Sequence, residues 1–155
     1  MDKGAFVVLE AGLRSRVRDI SRIGGRIEER LGTFAHSAEG VDSMGYQLHN
    51  FYGAFEQLFE EVARFFENQI DEARYHADMI RRMQLEIQGI RPALLSAETA
   101  SGLDELRRFR HLFRHAYTAD LDSDKVASLA AKAVCIQRDF AQDFEQFLLL
   151  LQPES

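Results

Sequence analysis

The chain has 155 residues and a formal net charge of −6, with 46% hydrophobic and 28% charged residues. That length suits one domain, 1–155, with a core that needs no staples, and the composition is that of a soluble globular protein. The single cysteine excludes an internal disulfide and fits a reducing compartment, while the acidic balance argues against a protein that coats nucleic acid non-specifically and leaves room for a local basic site.

The N-terminal stretch MDKGAFVVLE lacks the basic start and long apolar run of a signal peptide. The aliphatic run FLLLL near the end is far short of the ~20 residues of a membrane span. A cytoplasmic protein without membrane attachment is expected. Cys135 lies in the apolar stretch AKAVCI and reads as a small core residue rather than a nucleophile.

Taken in chain order, apolar spacing of helical period recurs and strand alternation does not. Leu9, Leu13, Val17, Ile20, Ile23, Ile27 and Leu31 form one stripe of a first helix expected over about residues 5–34. Gly24 and Gly25 inside it suggest a kink or a close helix contact. GVDSMG reads as punctuation. A second helix is expected over 46–66, its wide arc of Leu48, Phe51, Tyr52, Phe55, Leu58, Phe59, Val62, Phe65 and Phe66 making it the central core helix. A third is expected over about 72–88, ending before the break at 89–92. SAETASG begins a fourth. Asp122 and Ser123 are candidate caps of a fifth, which reaches about Leu151 with Val126, Leu129, Val134, Phe140, Phe144, Phe147 and Leu148 inward. The fold class is therefore all-α, an antiparallel bundle of about five helices without a sheet.

The fourth helix carries the chemistry. Residues 106–117, LRRFRHLFRHAY, hold four arginines, two histidines and no acid. At 100° per residue, Leu106, Phe109, Leu112, Phe113 and Ala116 share one arc, and Tyr117, Arg110, Arg114, Arg107, His111, His115 and Arg108 fill the other. The apolar arc holds the helix to the bundle and the cationic arc is displayed. Such a face repels itself, and Asp104 and Glu105, one turn earlier, reach only Arg107 and Arg108.

A solvated basic face explains this stretch, and three functional readings compete with that one. His111 and His115, at i,i+4, have a spacing that suits zinc, but the stretch offers no acid or cysteine beside them and the arginines oppose a cation, so no metal and no cofactor are expected. A protein or nucleotide docking patch is the second reading. The third is phosphodiester cleavage, with arginine clamping phosphate and histidine moving the proton of a ribose 2′-hydroxyl. Arg110 and His115 point about 140° apart on one helix. Two copies of the helix across a two-fold axis would bring the arginine of one chain towards the histidine of the other.

Arg110-HLFR-His115-Ala-Tyr117 resembles the R-x4-H-x-Y signature of HepT-like toxins of the HEPN superfamily. LHNFYGAFEQLFEEVA (48–63), RPALLSAET (91–99) and LRRFRHLFRHAYTADLD (106–122) are similar to successive blocks of that family. The resemblance covers about residues 45–150, and the first helix fits loosely. Tyr75-His76 stands where many relatives have Trp-His. The resemblance implies a metal-independent ribonuclease toxin of a bacterial toxin–antitoxin pair, acting as a homodimer on an RNA substrate. Its partner would be a minimal nucleotidyltransferase antitoxin that silences it by transferring AMP. Carried over, Arg110 and His115 become the catalytic pair and Tyr117 the residue modified by AMP. His111, Arg114 and Arg107 support the site and bind RNA phosphate. A different class stays open: a non-catalytic helical module that binds the nucleotidyltransferase and a nucleotide. His49 and His76, beside core aromatics, read as structural.

Overall fold

The structure, a computed structural model, describes residues 1–67, 72–115 and 121–154, with the side chains of 72–77, 111, 112, 114 and 115 excepted. Five α-helices account for most of them: α1 Lys3–Arg30, α2 Ala38–Glu67, α3 Glu72–Met83, α4 Ala97–His115 and α5 Ser123–Leu151. A single 3-10 turn, Phe34–His36, joins α1 to α2. No strand or sheet occurs among the described residues.

The side-chain pairings give the directions. Arg16 on α1 reaches Gln57 and Glu61 on α2, and Arg14 reaches Glu145 on α5. Ser96, just before α4, bonds Asp143 near the end of α5, while Glu105 reaches back to Lys132. Thus α1 runs antiparallel to α2 and α5, and α4 antiparallel to α5. Phe55 meets Phe140 and Phe66 meets Phe147, so α2 and α5 run parallel. The result is an up-down-up-down bundle of α1, α2, α4 and α5, with α3 against α2 and α4.

The core is rich in phenylalanine. Phe51, Phe55, Phe59, Phe140, Phe144 and Phe147 are all at most 2% exposed. Phe55 stands edge-on to Phe51 at 5.2 Å and to Phe140 at 4.9 Å, an arrangement that matches ring edges to ring faces.

Four expectations change. First, α1 begins two residues early, because Asp2 accepts a hydrogen bond from the Ala5 amide at 2.8 Å and satisfies a free N–H of the first turn. It ends at Arg30 rather than near residue 34 and runs unbroken through Gly24, where, of the two alternatives, a close contact with Gln137 of α5 is the one that holds. Second, GVDSMG is helix, not punctuation. Ser37 Oγ accepts from the Gly40 amide at 3.0 Å, and Val41, Met44 and Gly45 are buried on the stripe that continues to Leu48. Burial of that stripe outweighs the ~1 kcal/mol that each glycine costs a helix.

Third, α3 stops at Met83 rather than near residue 88. The amides of Gln84 and Leu85 turn back three residues to Arg81 and Arg82, and a tight turn closes with the Ile87 and Arg91 backbones paired, Gly89 adopting φ 79°. Fourth, Cys135 is exposed. Its neighbours Ala133 and Ile136 take the inward positions of α5, and Val134 is only half-buried. Phe65, at the edge of the apolar arc of α2, is likewise exposed. Asp122 does cap α5, accepting from the Asp124 amide at 3.0 Å. None of the described helices is long and apolar enough to cross a membrane.

Candidate active site on the fourth helix

α4 is fixed at its N-terminal end by a hydroxyl–carboxylate cluster. The Ser96 amide and hydroxyl both donate to Asp143 Oδ2 at 2.9 Å. Ser96 Oγ also lies 3.4 Å from the Thr99 amide, which it caps. From there Ala100, Leu103, Leu106 and Phe109 point into the core. Phe113 continues the apolar arc half-buried, its ring 6.2 Å from Phe109 and 5.6 Å from His49 of α2. Gly45 makes that approach possible, since a Cβ there would lie 2.7 Å from Leu121 Cδ1 and 3.4 Å from the Phe113 ring.

The cationic arc is less uniform than the sequence suggested. Arg107 and Arg108 both bond Asp104, at 3.0 and 2.6 Å. Burial pushes the Asp104 carboxyl up, but the hydrogen bonds from these two arginines outweigh it, and the group sits below its ordinary range. Glu105 turns away to Lys132 at 3.6 Å. Among the described side chains of this arc, Arg108 is the well-displayed one, with 70% of its side chain exposed.

Arg110 differs most from expectation. It is not fully displayed: its side chain is 24% exposed and forms an ion pair with Glu56 of α2. Its guanidinium also lies over the Tyr52 ring, 5.8 Å from the centroid, a cation–π contact. Glu56 is only 6% exposed. A carboxylate so deep requires a partner, and Arg110 supplies one. Burial, with Glu56 adding to it, pushes the Tyr52 hydroxyl far above its ordinary value, against the pull of Arg107 and Arg110. The phenol therefore stays protonated. The sequence reading missed both residues. A signal was present: Glu56 falls on the inward arc of α2 at i+4 from Tyr52, an acid where the pattern demands an apolar residue.

The described structure brings Arg107, Arg110, Glu56, Tyr52 and His49 together where α2 and α4 meet. The helical backbone of α4 extends through His111, Arg114 and His115, whose side chains lie outside the described residues, as do those of Tyr75 and His76. Tyr117 lies outside them altogether. No group of three His, Cys, Asp or Glu able to hold a metal occurs among the described residues. An open groove of about 550 Å³ lies elsewhere, between segment 92–96 and α5, and no residue of the basic stretch lines it.

The sequence profile of a family described as HepT-like protein matches residues 43–151. The chain belongs to the HepT-like family. The matched span starts within α2 and runs to the end of α5, so it takes in Arg110, His115 and Tyr117 and leaves out α1. No curated protein and no solved structure matches the chain. Within this HepT-like chain, Arg110 is, among the described arginine side chains of α4, the one clamped against α2.

Proposed function

We propose that this HepT-like chain is a metal-independent ribonuclease toxin, with Arg110 binding and stabilising the scissile phosphate and His115 acting as general base on the 2′-hydroxyl. One observation carries the reading. The motif arginine stands at the rim of the bundle on a carboxylate and an aromatic ring, partly open to solvent. An arginine held in that way meets a phosphate with little loss of rotamer freedom. Arg107 and Arg108, tied to Asp104, extend the positive edge along α4.

The 140° separation between Arg110 and His115 favours a homodimer, each cleft taking its arginine from one chain and its histidine from the other. The partner in this proposal is a minimal nucleotidyltransferase antitoxin. AMP placed on Tyr117 would add negative charge next to Arg110 and Arg114 and fill the space that RNA requires.

The test is cleavage of RNA by the purified chain in EDTA. Arg110→Ala and His115→Ala are each expected to lower the rate by ~10²–10⁴. Mixing the two inactive chains should restore part of it. Cleavage by His115→Ala at the wild-type rate would remove His115 from the catalytic assignment, and a wild-type chain that does not cut RNA would leave the non-catalytic binding module. Mass spectrometry after co-expression with the partner should find the AMP adduct on Tyr117.

A further inference from the structure

We propose that Glu56 is a positioning residue of this site, acting through Arg110; the inference deepens the ribonuclease reading and rests on it. Glu56 belongs to a different helix, 54 residues from Arg110. It is 6% exposed and lies on α2 between Tyr52 and Phe59, both at most 1% exposed. An acid there is costly for a core, and a leucine would fill the space without an ion pair. What the carboxylate adds is direction.

A guanidinium carries five N–H donors in a planar fork. Among the described residues, Arg110 bonds Glu56 through Nη1 alone. The ion pair fixes one corner of the fork, and the Tyr52 ring beneath it restricts rotation about that corner. The remaining N–H edge is then held in a constant direction at the rim, ready for an oxyanion.

The arrangement sets two effects against each other. Glu56 balances the charge of Arg110, which weakens the attraction for any phosphate that arrives. It also orients the fork, which speeds a step that depends on geometry. Removing the charge while keeping the shape should therefore strengthen ground-state binding and slow turnover. A residue that merely held the bundle together would weaken both and lower the melting temperature.

The experiment uses the full chain, a cleavable RNA for kcat, and a 2′-O-methyl RNA of the same sequence for affinity by fluorescence anisotropy. Glu56→Gln is expected to bind the 2′-O-methyl RNA about threefold or more tightly, with kcat lower by about 10²-fold. The affinity gain should vanish when Glu56→Gln is made in the Arg110→Ala chain. Glu56→Asp retains the charge on a shorter arm. It is expected to keep wild-type affinity within about twofold and still lose turnover, and it decides the matter if Glu56→Gln melts below the assay temperature. The proposal is overturned if Glu56→Gln melts like wild type yet binds no tighter, or if the gain persists without Arg110. A wild-type chain that binds RNA but does not cut it removes the ribonuclease reading, and the affinity comparison still decides the role of Glu56. A wild-type chain that does neither overturns both.

Discussion

Arg91 and Arg110 both pair with glutamates of α2, and they do opposite things with their donors. Arg91 is enclosed, its side chain 1% exposed. It donates to the carbonyls of Leu85 at 2.9 Å, Arg82 at 3.1 Å and Pro92 at 3.2 Å, and to Glu67 at 3.2 Å. It thereby ties the last turn of α3, at Arg82, to the carbonyls of Leu85 and Pro92 on either side of the turn that follows. Among the described residues Arg110 meets one carboxylate and one ring, and 24% of its side chain is open. The first arginine is consumed by the fold. The second is held by the fold and kept available, as a binding group must be.

The comparison breaks most visibly under truncation. Arg91→Ala should destabilise the chain by about 3–5 kcal/mol, since it empties a buried site, leaves Glu67 with Arg82 alone of its two arginines, and takes a donor from three carbonyls. Arg110→Ala should cost less, about 1–3 kcal/mol, because solvent reaches part of its site. Urea denaturation of the two variants checks the order, and equal losses would show that Arg110 is as structural as Arg91.

A second test sharpens the account of why Arg110→Ala costs anything. If the loss comes from leaving Glu56 charged and buried, then Arg110→Ala with Glu56→Gln should be more stable than Arg110→Ala alone by about 1 kcal/mol. A double variant no more stable than the single one would assign the loss to packing instead.

The ring under Arg110 predicts a smaller effect. Tyr52→Phe keeps the face that the guanidinium covers and should change stability by about 1 kcal/mol or less. Tyr52→Leu removes the ring and should cost more, with looser binding of Arg110 visible as faster side-chain motion in Arg-selective NMR.

The smallest effect concerns Asp104, whose carboxyl is held below its ordinary range. A folded-state value lowered in this way contributes stability above the unfolded carboxylate pKa and loses it as pH falls through the folded one. With 32% of the Asp104 side chain exposed, the pairs contribute only a few tenths of a kcal/mol. Asp104→Asn should therefore lower stability by a few tenths of a kcal/mol near neutrality, with the difference shrinking as pH falls, so that the acid limb of a stability-against-pH curve flattens slightly.

Sequence reading recovered what is periodic and local. The apolar arc of α4, the pairing of Asp104 with Arg107 and Arg108, and the Asp122 cap all follow from residues within one turn of each other. Contacts across helices were less legible. Nothing in the spacing of 106–117 indicates that Glu56 balances Arg110, because the pairing depends on which face of α2 meets α4. GVDSMG misled because glycine reports local propensity while packing decided the outcome. Cys135 misled because the run AKAVCI was read by composition, although its phase on α5 turns that residue outward.

The two glutamates also share a rod. Glu56 and Glu67 are eleven residues apart on α2, which amounts to about 16 Å along the axis and about 20° of rotation beyond three full turns. Their angular phase is therefore nearly equal, and it is set by covalent geometry rather than by the strength of either ion pair. Deleting one residue between them would rotate one carboxylate by about 100° relative to the other. Each arginine could then keep its glutamate only if the other let go. The interval itself, independent of most side chains within it, is what allows one helix to anchor the turn after α3 and aim the arginine of α4 together.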